Sequence, residues 1–256
     1  MKKNEERIIG IIPARYGSTR LPAKPLIDLC GKKMIQRVYE GASTSSLLEK
    51  IIVATDDERI AAEVMRFGGN YAMTPETLQS GSDRVAYVAR DYPDAEIVAN
   101  IQGDEPLLRG EMVDENIIPL LNDMTIPVST PIRKIVRTEE LYSPGIPKVI
   151  VDKNFFALYF SRLPVPFVVK EFPTRLLFQH LTFYKHIGLY VYRANALQKF
   201  NMLPRTELEQ AESLEQLRMV YHGWKIKTVV TQYDTYSVDT FAYAEHIREI
   251  LRSENR

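Results

Sequence analysis

The chain has 256 residues, of which 45% are hydrophobic and 26% are charged, as is typical of a folded globular protein. Lys plus Arg and Asp plus Glu number 33 each, and this zero formal charge argues against broad nucleic-acid binding. The single cysteine, Cys30, excludes an intramolecular disulfide and a cysteine-based zinc site. No apolar run approaches the roughly 18 residues that span a bilayer, and residues 8–12 are too few for a secretory signal. We therefore expect a soluble cytoplasmic protein without membrane insertion.

Strands and helices alternate over the first hundred residues. The continuous β-branched run at residues 8–12 predicts a strand that is buried on both faces. Further strands are predicted at 51–54, 71–73 and 97–101, with helices at 34–43, 58–67 and 84–90. This alternation is typical of βαβ units, so we expect an α/β fold with a mostly parallel central sheet.

The second half of the sequence is less regular. Strands are predicted at 149–151, 187–192 and 227–231, helices at 213–221 and 241–252, and surface loops at 144–147 and 163–172. The sequence shows no repeat, low-complexity tract or linker. We therefore expect one domain over residues 1–256.

The loop after the first predicted strand, residues 13–25, is basic. It contains three cations and two small residues, namely Arg15, Gly17, Ser18, Arg20 and Lys24. In open α/β sheets ligands bind beyond the carboxyl ends of the strands, where cations suit a polyanion such as a triphosphate. Backbone N–H groups around Gly17 can add hydrogen bonds. The loop has neither the P-loop pattern nor a G-x-G-x-x-G fingerprint, and a solvated basic loop is the alternative interpretation.

An acidic turn follows the strand predicted at 97–101, where residues 102–106 read QGDEP. Magnesium prefers one or two carboxylates together with substrate phosphate oxygens and water. Asp104 is the first candidate ligand, and Asp239, which precedes the last predicted helix, is the best candidate for the second. Asp239 taken alone also suits a helix N-terminus. Together with the basic loop, the two aspartates predict a metal site.

Two further polar turns have structural as well as functional interpretations. Asp56 and Asp57 follow a predicted strand and open a helix, which favours capping. Residues 79–84, QSGSDR, also enter a helix, and they either cap it or contact the base or ribose of a nucleotide.

Eight runs of residues, in order over nearly the whole chain, resemble the 3-deoxy-manno-octulosonate (Kdo) cytidylyltransferases. They are residues 11–22, 24–26, 52–56, 102–106, 157–162, 186–188, 214–218 and 238–240. The runs at 11–22 and 102–106 are shared with other sugar nucleotidyltransferases. The Phe-Ser-Arg, His-Ile-Gly and Leu-Glu-Gln-Leu-Arg runs are more particular to the Kdo enzymes.

The resemblance implies the nucleotide-diphospho-sugar transferase fold, a GT-A-like three-layer sandwich that is usually a homodimer. The nucleotide-binding part would cover about residues 8–125, and the sugar-binding and dimerisation part about 126–256. The implied reaction converts CTP and Kdo to CMP-Kdo and diphosphate with Mg²⁺, and it supplies lipopolysaccharide synthesis.

The resemblance also implies roles for individual residues. The catalytic residues would be Arg15, Lys24, Asp104 and Asp239, and the two aspartates would be the metal ligands. The nucleotide contacts would be Ala14, Arg15, Ser18, Arg20, Lys24, Arg84 and Gln102. The sugar contacts would be Gln102, Arg162, His186, Tyr190, Glu215 and Gln216. The planar guanidinium of Arg162 suits the sugar carboxylate, although taken alone Arg162 also suits a surface ion pair and His186 a structural role.

The sequence departs from the family at two places. Ala23 stands where the family usually has Gly, and Ala costs roughly 1 kcal/mol if the position requires a positive φ. Ser82 and Asp83 replace the commoner Thr-Glu or Thr-Asp, and the serine retains the hydroxyl.

Three alternatives remain open. The substrate could be another acid, such as 8-amino-Kdo or a sialic acid. A metal-dependent GT-A glycosyltransferase would consume a nucleotide sugar and release no diphosphate. A non-catalytic nucleotide-binding protein would bind CTP without turnover. The preference for cytosine follows from the resemblance alone.

Overall fold

The computed structural model describes residues 7–17, 21–169 and 174–254. The strands are β1 (Arg7–Ala14), β2 (Asp28–Leu29), β3 (Lys32–Lys33), β4 (Lys50–Thr55), β5 (Asn70–Met73), β6 (Ala95–Asn100), β7 (Val128–Lys134), β8 (Lys148–Val151), β9 (Ala157–Ser161), β10 (Tyr184–His186), β11 (Tyr190–Arg193) and β12 (Ile226–Val230). The α-helices are α1 (Met34–Ala42), α2 (Glu58–Arg66), α3 (Gly81–Ala89), α4 (Gly110–Asn122), α5 (Thr138–Tyr142), α6 (Thr174–His180), α7 (Ala194–Met202), α8 (Glu207–Glu212), α9 (Gln216–Tyr221) and α10 (Phe241–Glu254).

The first half of the chain forms the parallel part of the central sheet. The strand order is β5-β4-β1-β6, and each neighbouring pair is parallel. The carboxyl ends of β1, β4 and β6 therefore lie at one edge of the sheet. This arrangement confirms the predicted βαβ units, and it brings the loops after these three strands together.

The second half of the chain extends the sheet with mostly antiparallel pairs. Strand β11 pairs with β6 and β7, and β10 pairs with β7 and β8, all antiparallel. Strand β9 continues from β8, and β12 pairs parallel to β7. The sheet of the described residues has ten strands, and the hairpin of β2 and β3 lies apart from it.

Helices cover both faces of the sheet. Side chains of β1 alternate between the faces, so that Ile8 and Ile12 pack with α1, α2 and α4. Ile9 and Ile11 pack on the other face with α3, α7 and α9. A central strand with apolar side chains on both faces requires a helical layer on each side. The predicted three-layer α/β fold is confirmed.

A third apolar cluster joins the C-terminal segment to the first half of the chain. Leu29 of the hairpin and Met34 of α1 are buried against Val238, Ala244 and Ile247. Helix α10 therefore packs beside the start of α1, and its packing carries the residues just before it to the edge of the sheet at which β1 ends. This contact joins segments more than 200 residues apart.

The sequence predicted the first half of the fold more completely than the second. Helix α3 begins at Gly81, earlier than predicted, because Ser80 caps it. The strand predicted at 187–192 is β11, which begins only at Tyr190. Elements β2, β3, β7, β9, β10, α4, α5, α6, α7 and α8 were not predicted. The end of the loop predicted at 163–172 lies outside the described residues. Among the helices described, none has both the length and the apolar character needed to cross a membrane.

Candidate active site

A cleft of about 560 Å³ opens at the edge of the sheet where β1 and β6 end. Its walls come from the loops after these two strands, the start of α3, the connection from α7 to α9, and Asp239 before α10. The parallel strand order places the first two loops side by side, and the third apolar cluster supplies the last wall. The cleft is the meeting point of segments from the whole length of the chain.

The centre of the site is a lysine held between two aspartates. The Nζ atom of Lys24 lies 2.6 Å from Asp104 Oδ2 and 2.6 Å from Asp239 Oδ1. Burial by itself lowers the pKa of Lys24, but the carboxylates of Asp104 and Asp239 outweigh burial and raise the pKa above its ordinary value. The three side chains that the sequence predicted to converge do so in this structure.

A tight turn positions Lys24. Residues Lys24–Leu26 form a 3-10 helix, with Pro25 in its first turn and a hydrogen bond from Leu26 N to Ala23 O of 2.8 Å. Ala23 adopts φ 55° and ψ 28°, the left-handed conformation that glycine tolerates best. The position therefore does require a positive φ, and the alanine retains the loop at a cost of roughly 1 kcal/mol.

The acidic turn after β6 packs directly on the loop after β1. A Cβ atom on Gly103 would lie 2.7 Å from the carbonyl oxygen of Pro13, so that only glycine permits this approach. The neighbouring Glu105 is buried, and burial together with the charge of Asp104 raises its pKa to about 8. The backbone N–H of Val238 donates to the carbonyl of Asp104 at 3.0 Å, which brings the segment of Asp239 against this turn.

The two aspartates suit a divalent cation. They already surround one positive charge, the Lys24 ammonium, from two sides. The described residues contain no group of three or more His, Cys, Asp or Glu side chains arranged to hold a metal ion. Two carboxylates with open positions match the way Mg²⁺ binds, because it retains waters and takes further oxygens from substrate phosphates.

The basic loop contributes to the cleft as far as it is described. Ala14 and Arg15 line the cleft beside Lys24. Arg15 is exposed. Ser18 and Arg20, the other predicted nucleotide contacts of this loop, lie outside the described residues.

The predicted nucleotide contact Arg84 lines the cleft, but its guanidinium is already engaged. It donates to Asp56 Oδ2 at 2.7 Å and also to the hydroxyl of Thr74, and only 2% of the residue is exposed. Asp56 therefore forms a partly buried ion pair with Arg84 and not the predicted cap. Asp57 does cap α2, since its side chain accepts from the backbone N–H of Arg59 at 2.9 Å.

The turn at residues 79–84 caps α3 and also lines the cleft. Ser80 and Asp83 form a capping box at the start of α3, with hydrogen bonds of 3.1 and 2.9 Å. Gln79 and Ser80 also line the cleft. The cap is confirmed, and the nucleotide contact stays a prediction.

A chain of hydrogen bonds through two buried residues connects two residues that line the cleft. Gln102 donates to Asn100 at 3.3 Å, and Asn100 donates to the Ser82 hydroxyl at 3.4 Å. Ser82 in turn donates to Glu215 Oε2 at 2.7 Å, which shows what the retained hydroxyl does. The two predicted sugar contacts at the ends of this chain, Gln102 and Glu215, both line the cleft.

Two other predicted sugar contacts are buried beside this chain. Tyr190 is 9% exposed and Gln216 is 4% exposed, and neither lines the cleft. Within the described part of the protein, the Tyr190 hydroxyl and Gln216 Nε2 are buried atoms without a hydrogen-bond partner. Burial, first of all, and the nearby Glu215 raise the pKa of Tyr190 well above its ordinary value, so the hydroxyl remains protonated.

The remaining two predicted sugar contacts serve structural purposes in this conformation. Arg162 donates from Nε to the carbonyl of Glu212 at 2.6 Å and from Nη1 and Nη2 to the carbonyls of Pro144 and Ser213. His186 is buried, its Nε2 lies 2.9 Å from the Thr130 hydroxyl, and burial lowers its pKa to about 3. Neither residue lines the cleft, and their contact with a sugar stays a prediction.

Sequence reasoning missed the wall that the connection from α7 to α9 provides. Apart from the predicted Glu215, its cleft-lining residues are Arg205, Glu209, Gln210, Ser213 and Leu214. Arg205 is exposed, and no hydrogen bond or ion pair to another described residue holds its guanidinium. The signal was present in the spacing of Thr206 and Glu209, which form a capping box at the start of α8.

The chain is similar to known cytidylyltransferases over its whole length. Residues 9–226 match the family model described as cytidylyltransferase. The 3-deoxy-manno-octulosonate cytidylyltransferase of Syntrophus aciditrophicus is 43% identical over 98% of this chain and 100% of that protein. The enzyme of the same name from Geotalea uraniireducens is 44% identical over 96% of this chain and 99% of its own length.

Solved structures are also similar to this chain. A structure of CMP:2-keto-3-deoxy-manno-octonic acid synthetase in complex with CTP aligns with a TM-score of 0.88 and 40% identity, over 97% of this chain and all of that one. A 4-diphosphocytidyl-2C-methyl-D-erythritol synthase from Anaerococcus prevotii aligns with a TM-score of 0.62 at 14% identity, and this likeness concerns the fold alone.

Proposed function

Since this chain belongs to the 3-deoxy-manno-octulosonate cytidylyltransferase family, we propose that it transfers CMP from CTP to Kdo and releases diphosphate. One observation carries the proposal: Lys24 lies between Asp104 and Asp239 on the ligand-binding edge of the sheet, next to Arg15. Cations for a triphosphate and carboxylates for its metal ion thus share one cleft.

In the proposed reaction a hydroxyl oxygen of the sugar attacks the α-phosphorus of CTP. A new P–O bond forms as the bond to the leaving diphosphate breaks, and the hydroxyl loses its proton. Because negative charge is redistributed over the phosphate oxygens, catalysis depends mainly on positioning and electrostatic stabilisation. Lys24 and Arg15 are the cations that would bind the triphosphate and the departing diphosphate.

We propose that Asp104 and Asp239 hold Mg²⁺. The proposal is supported by the two carboxylates, which already face one cation from two sides. When bound, Mg²⁺ would neutralise phosphate charge and lower the pKa of the attacking hydroxyl. Asp104 and Asp239 would hold the ion, and the ammonium of Lys24 would supply positive charge to the phosphates.

The sugar would bind at the end of the cleft formed by Gln102 and Glu215. The proposal is supported by the position of these two residues on the cleft wall, where the Ser82 and Asn100 side chains connect them. The unpaired Tyr190 hydroxyl and Gln216 amide lie in the same region of the chain's fold.

A diphosphate-release assay with CTP, Mg²⁺ and Kdo, from which each component is omitted in turn, tests the proposal. Release should require all three components. Replacing Kdo by 8-amino-Kdo or a sialic acid tests the choice of acid, and replacing CTP by the other nucleoside triphosphates tests the base. Turnover of a nucleotide sugar without diphosphate release would instead indicate a glycosyltransferase.

We further propose that the protein is a homodimer that supplies CMP-Kdo for lipopolysaccharide synthesis in the cytoplasm. The proposed dimer is supported by exposed apolar residues on β9 and after it. They are Leu158, Leu163, Phe167 and Val169, with exposed fractions of 56%, 70%, 85% and 88%. Apolar side chains this exposed are typical of association surfaces.

Light scattering after size-exclusion chromatography tests the dimer. It should give twice the 29.5 kDa chain mass, and the double variant Phe167→Ser with Val169→Ser should shift the measured mass towards that of the monomer.

A further inference from the structure

The segment that carries Asp239 has no helix or strand of its own. Residues 231–240 connect β12 to α10. Fixing each residue of such a segment costs about 1–2 kcal/mol of backbone entropy, so contacts outside the segment must hold it. Two of these contacts are made with the acidic turn. The backbone N–H of Val238 donates to the carbonyl of Asp104, and the side chain of Thr235 forms a hydrogen bond with Glu105.

The third contact is Asp234, which enters a cluster of charged side chains under the segment. Lys185 Nζ lies 2.7 Å from Asp234 Oδ1, and Arg133 pairs with the other oxygen, Oδ2. Lys185 also donates to Glu140 Oε1 at 2.7 Å, and Arg137 pairs with the same carboxylate. The side chains of Lys185 and Glu140 are 5% and 6% exposed, and that of Asp234 is 20% exposed.

The cluster has a rigid base. Arg133 on β7 and Lys185 on β10 are opposite each other in the antiparallel pair of strands. Their side chains therefore leave the sheet side by side and present two cations to the two oxygens of Asp234. The carboxylate also accepts from the backbone N–H of Thr235 at 3.1 Å. Asp234 is thus held on both oxygens by cations of the sheet and by its own segment.

We propose that Lys185 and Arg133, acting through Asp234, are positioning residues that fix Asp239 opposite Asp104 for the divalent ion. The inference rests on the proposed function, because it assumes that these two aspartates hold the metal. Mg²⁺ requires nearly ideal octahedral geometry, so the distance between its two carboxylates must be held closely. Asp104 is fixed by the end of a buried strand, whereas Asp239, five residues from Asp234, depends on the contacts of its segment, of which this cluster is one.

The substitution Asp234→Asn tests the inference, since it keeps the shape of the side chain and removes its charge. Loss of a residue that orients a metal ligand typically costs 10–100-fold in metal affinity or activity. We expect the half-saturating Mg²⁺ concentration to rise about tenfold and kcat to fall, while KM for CTP at saturating Mg²⁺ changes little. Binding of Mn²⁺ to the substrate-free protein, followed by electron paramagnetic resonance, should weaken by a similar factor.

Two further variants separate positioning from stability. Lys185→Arg retains the charge and the donors, and it should retain most of the Mn²⁺ affinity, whereas Lys185→Met should lose it. Ile117→Val, in the buried face of α4 and outside both the cleft and the cluster, serves as a destabilised control that should bind Mn²⁺ normally. Circular dichroism confirms that each variant is folded.

The outcomes distinguish this inference from the proposed function. If the wild-type protein binds Mn²⁺ and releases diphosphate, but Asp234→Asn and Lys185→Met match it in Mn²⁺ affinity and Mg²⁺ dependence, the cluster is purely structural and the inference is wrong. If the wild-type protein neither binds Mn²⁺ nor releases diphosphate, the proposed function fails and the inference fails with it. Weaker Mn²⁺ binding in the two variants, with Lys185→Arg close to wild type, would support it.

Discussion

The two halves of the sheet use charged residues in different ways. In the parallel half, the cations and carboxylates follow the strands and lie at the open edge, as Arg15 and Asp104 do. In the antiparallel half, several charged side chains lie within the fold, as those of Lys148, Lys185 and Glu140 do. Parallel topology alone delivers the first set to the cleft. The second set holds irregular segments in place, which the topology by itself cannot do.

The loop at Lys148 shows the same use of a buried charge. Its ammonium donates to the carbonyls of Ser143 at 2.9 Å and Ile146 at 2.7 Å, and also to the carbonyl of Arg162. Burial, and then the neighbouring Arg162, lower the pKa of Lys148 to about 8. The lysine satisfies carbonyls of a loop that has no regular structure, and it fixes that loop to the sheet.

The largest effect is expected at the edge of the parallel half. Asp104→Asn removes one of the two carboxylates that face Lys24, and kcat should fall on the order of 10²-fold or more, by analogy with removing one charge-stabilising group. Steady-state kinetics of diphosphate release measure the change. Asp91→Asn, on the exposed turn after α3, is the matched control and should behave as wild type. Near-normal turnover of Asp104→Asn with Mg²⁺ would exclude a ligand role.

The next comparison concerns two arginines, one at the cleft and one in the antiparallel half. Arg205 lines the cleft, whereas the guanidinium of Arg162 is engaged by three carbonyls. Arg205 lies on the same wall of the cleft as Glu215, a predicted sugar contact, so we expect its guanidinium to pair with the carboxylate of the acid. Hydrogen bonds to charged groups contribute about 1.5–3 kcal/mol, so Arg205→Ala should raise KM for the sugar acid about 10–100-fold and leave KM for CTP unchanged.

Arg162→Ala should mainly lower the melting temperature, because it leaves carbonyls of Glu212 and Ser213 without their donors. Thermal unfolding of both variants, beside their kinetics, separates the two roles. A rise in KM for the acid with Arg162→Ala alone, at unchanged stability, would favour the role that the family resemblance implies.

A pH effect should come from the antiparallel half. His186 has a folded-state pKa of about 3 because it is buried, whereas an exposed histidine titrates near 6.5. Below about pH 6.5 the unfolded chain therefore binds a proton that the folded chain excludes, and stability falls as the pH falls towards 3. Between pH 7 and pH 5 this group should account for about 2 kcal/mol of the free energy of unfolding.

Urea unfolding of wild type and His186→Gln at the two pH values measures this contribution. The free energy of unfolding of the variant should lack the decrease between pH 7 and pH 5 that His186 causes. We also expect the variant to be less stable than wild type at pH 7. If the free energy of unfolding changes equally with pH in the two proteins, His186 is accessible to protons in the folded state.

The smallest effect is expected at the turn before Lys24. Ala23 has a φ of 55°, so Ala23→Gly should stabilise the protein by up to about 1 kcal/mol, less the greater entropy of glycine in the unfolded chain. Ala62→Gly, on the exposed face of α2, is the control of opposite sign and should destabilise by about 1 kcal/mol. Urea unfolding of both variants tests the comparison, and destabilisation by Ala23→Gly would contradict it.

Much of the first half of the fold could be predicted from sequence, because short β-branched runs alternate there with amphipathic helices. The second half could not, because its strands pair antiparallel with distant partners and mix polar with apolar residues. Strand β7, for example, contains Ser129, Thr130 and Pro131, and only its neighbours on both sides make it a buried strand. The convergence of Lys24, Asp104 and Asp239 was predicted with the help of the family resemblance, whereas the wall at Arg205 was not.

The sequence by itself determined the α/β class, the family and the types of residue that follow each parallel strand, because these depend on local pattern and on motifs. Only the tertiary structure decided which polar side chains face the cleft and which are already satisfied inside the fold. Arg84 and Arg162 differ from Arg205 in this respect, although all three are arginines in loops or at helix starts. Which partner a charged side chain meets depends on contacts between residues far apart in the chain, and local sequence carries no record of those contacts.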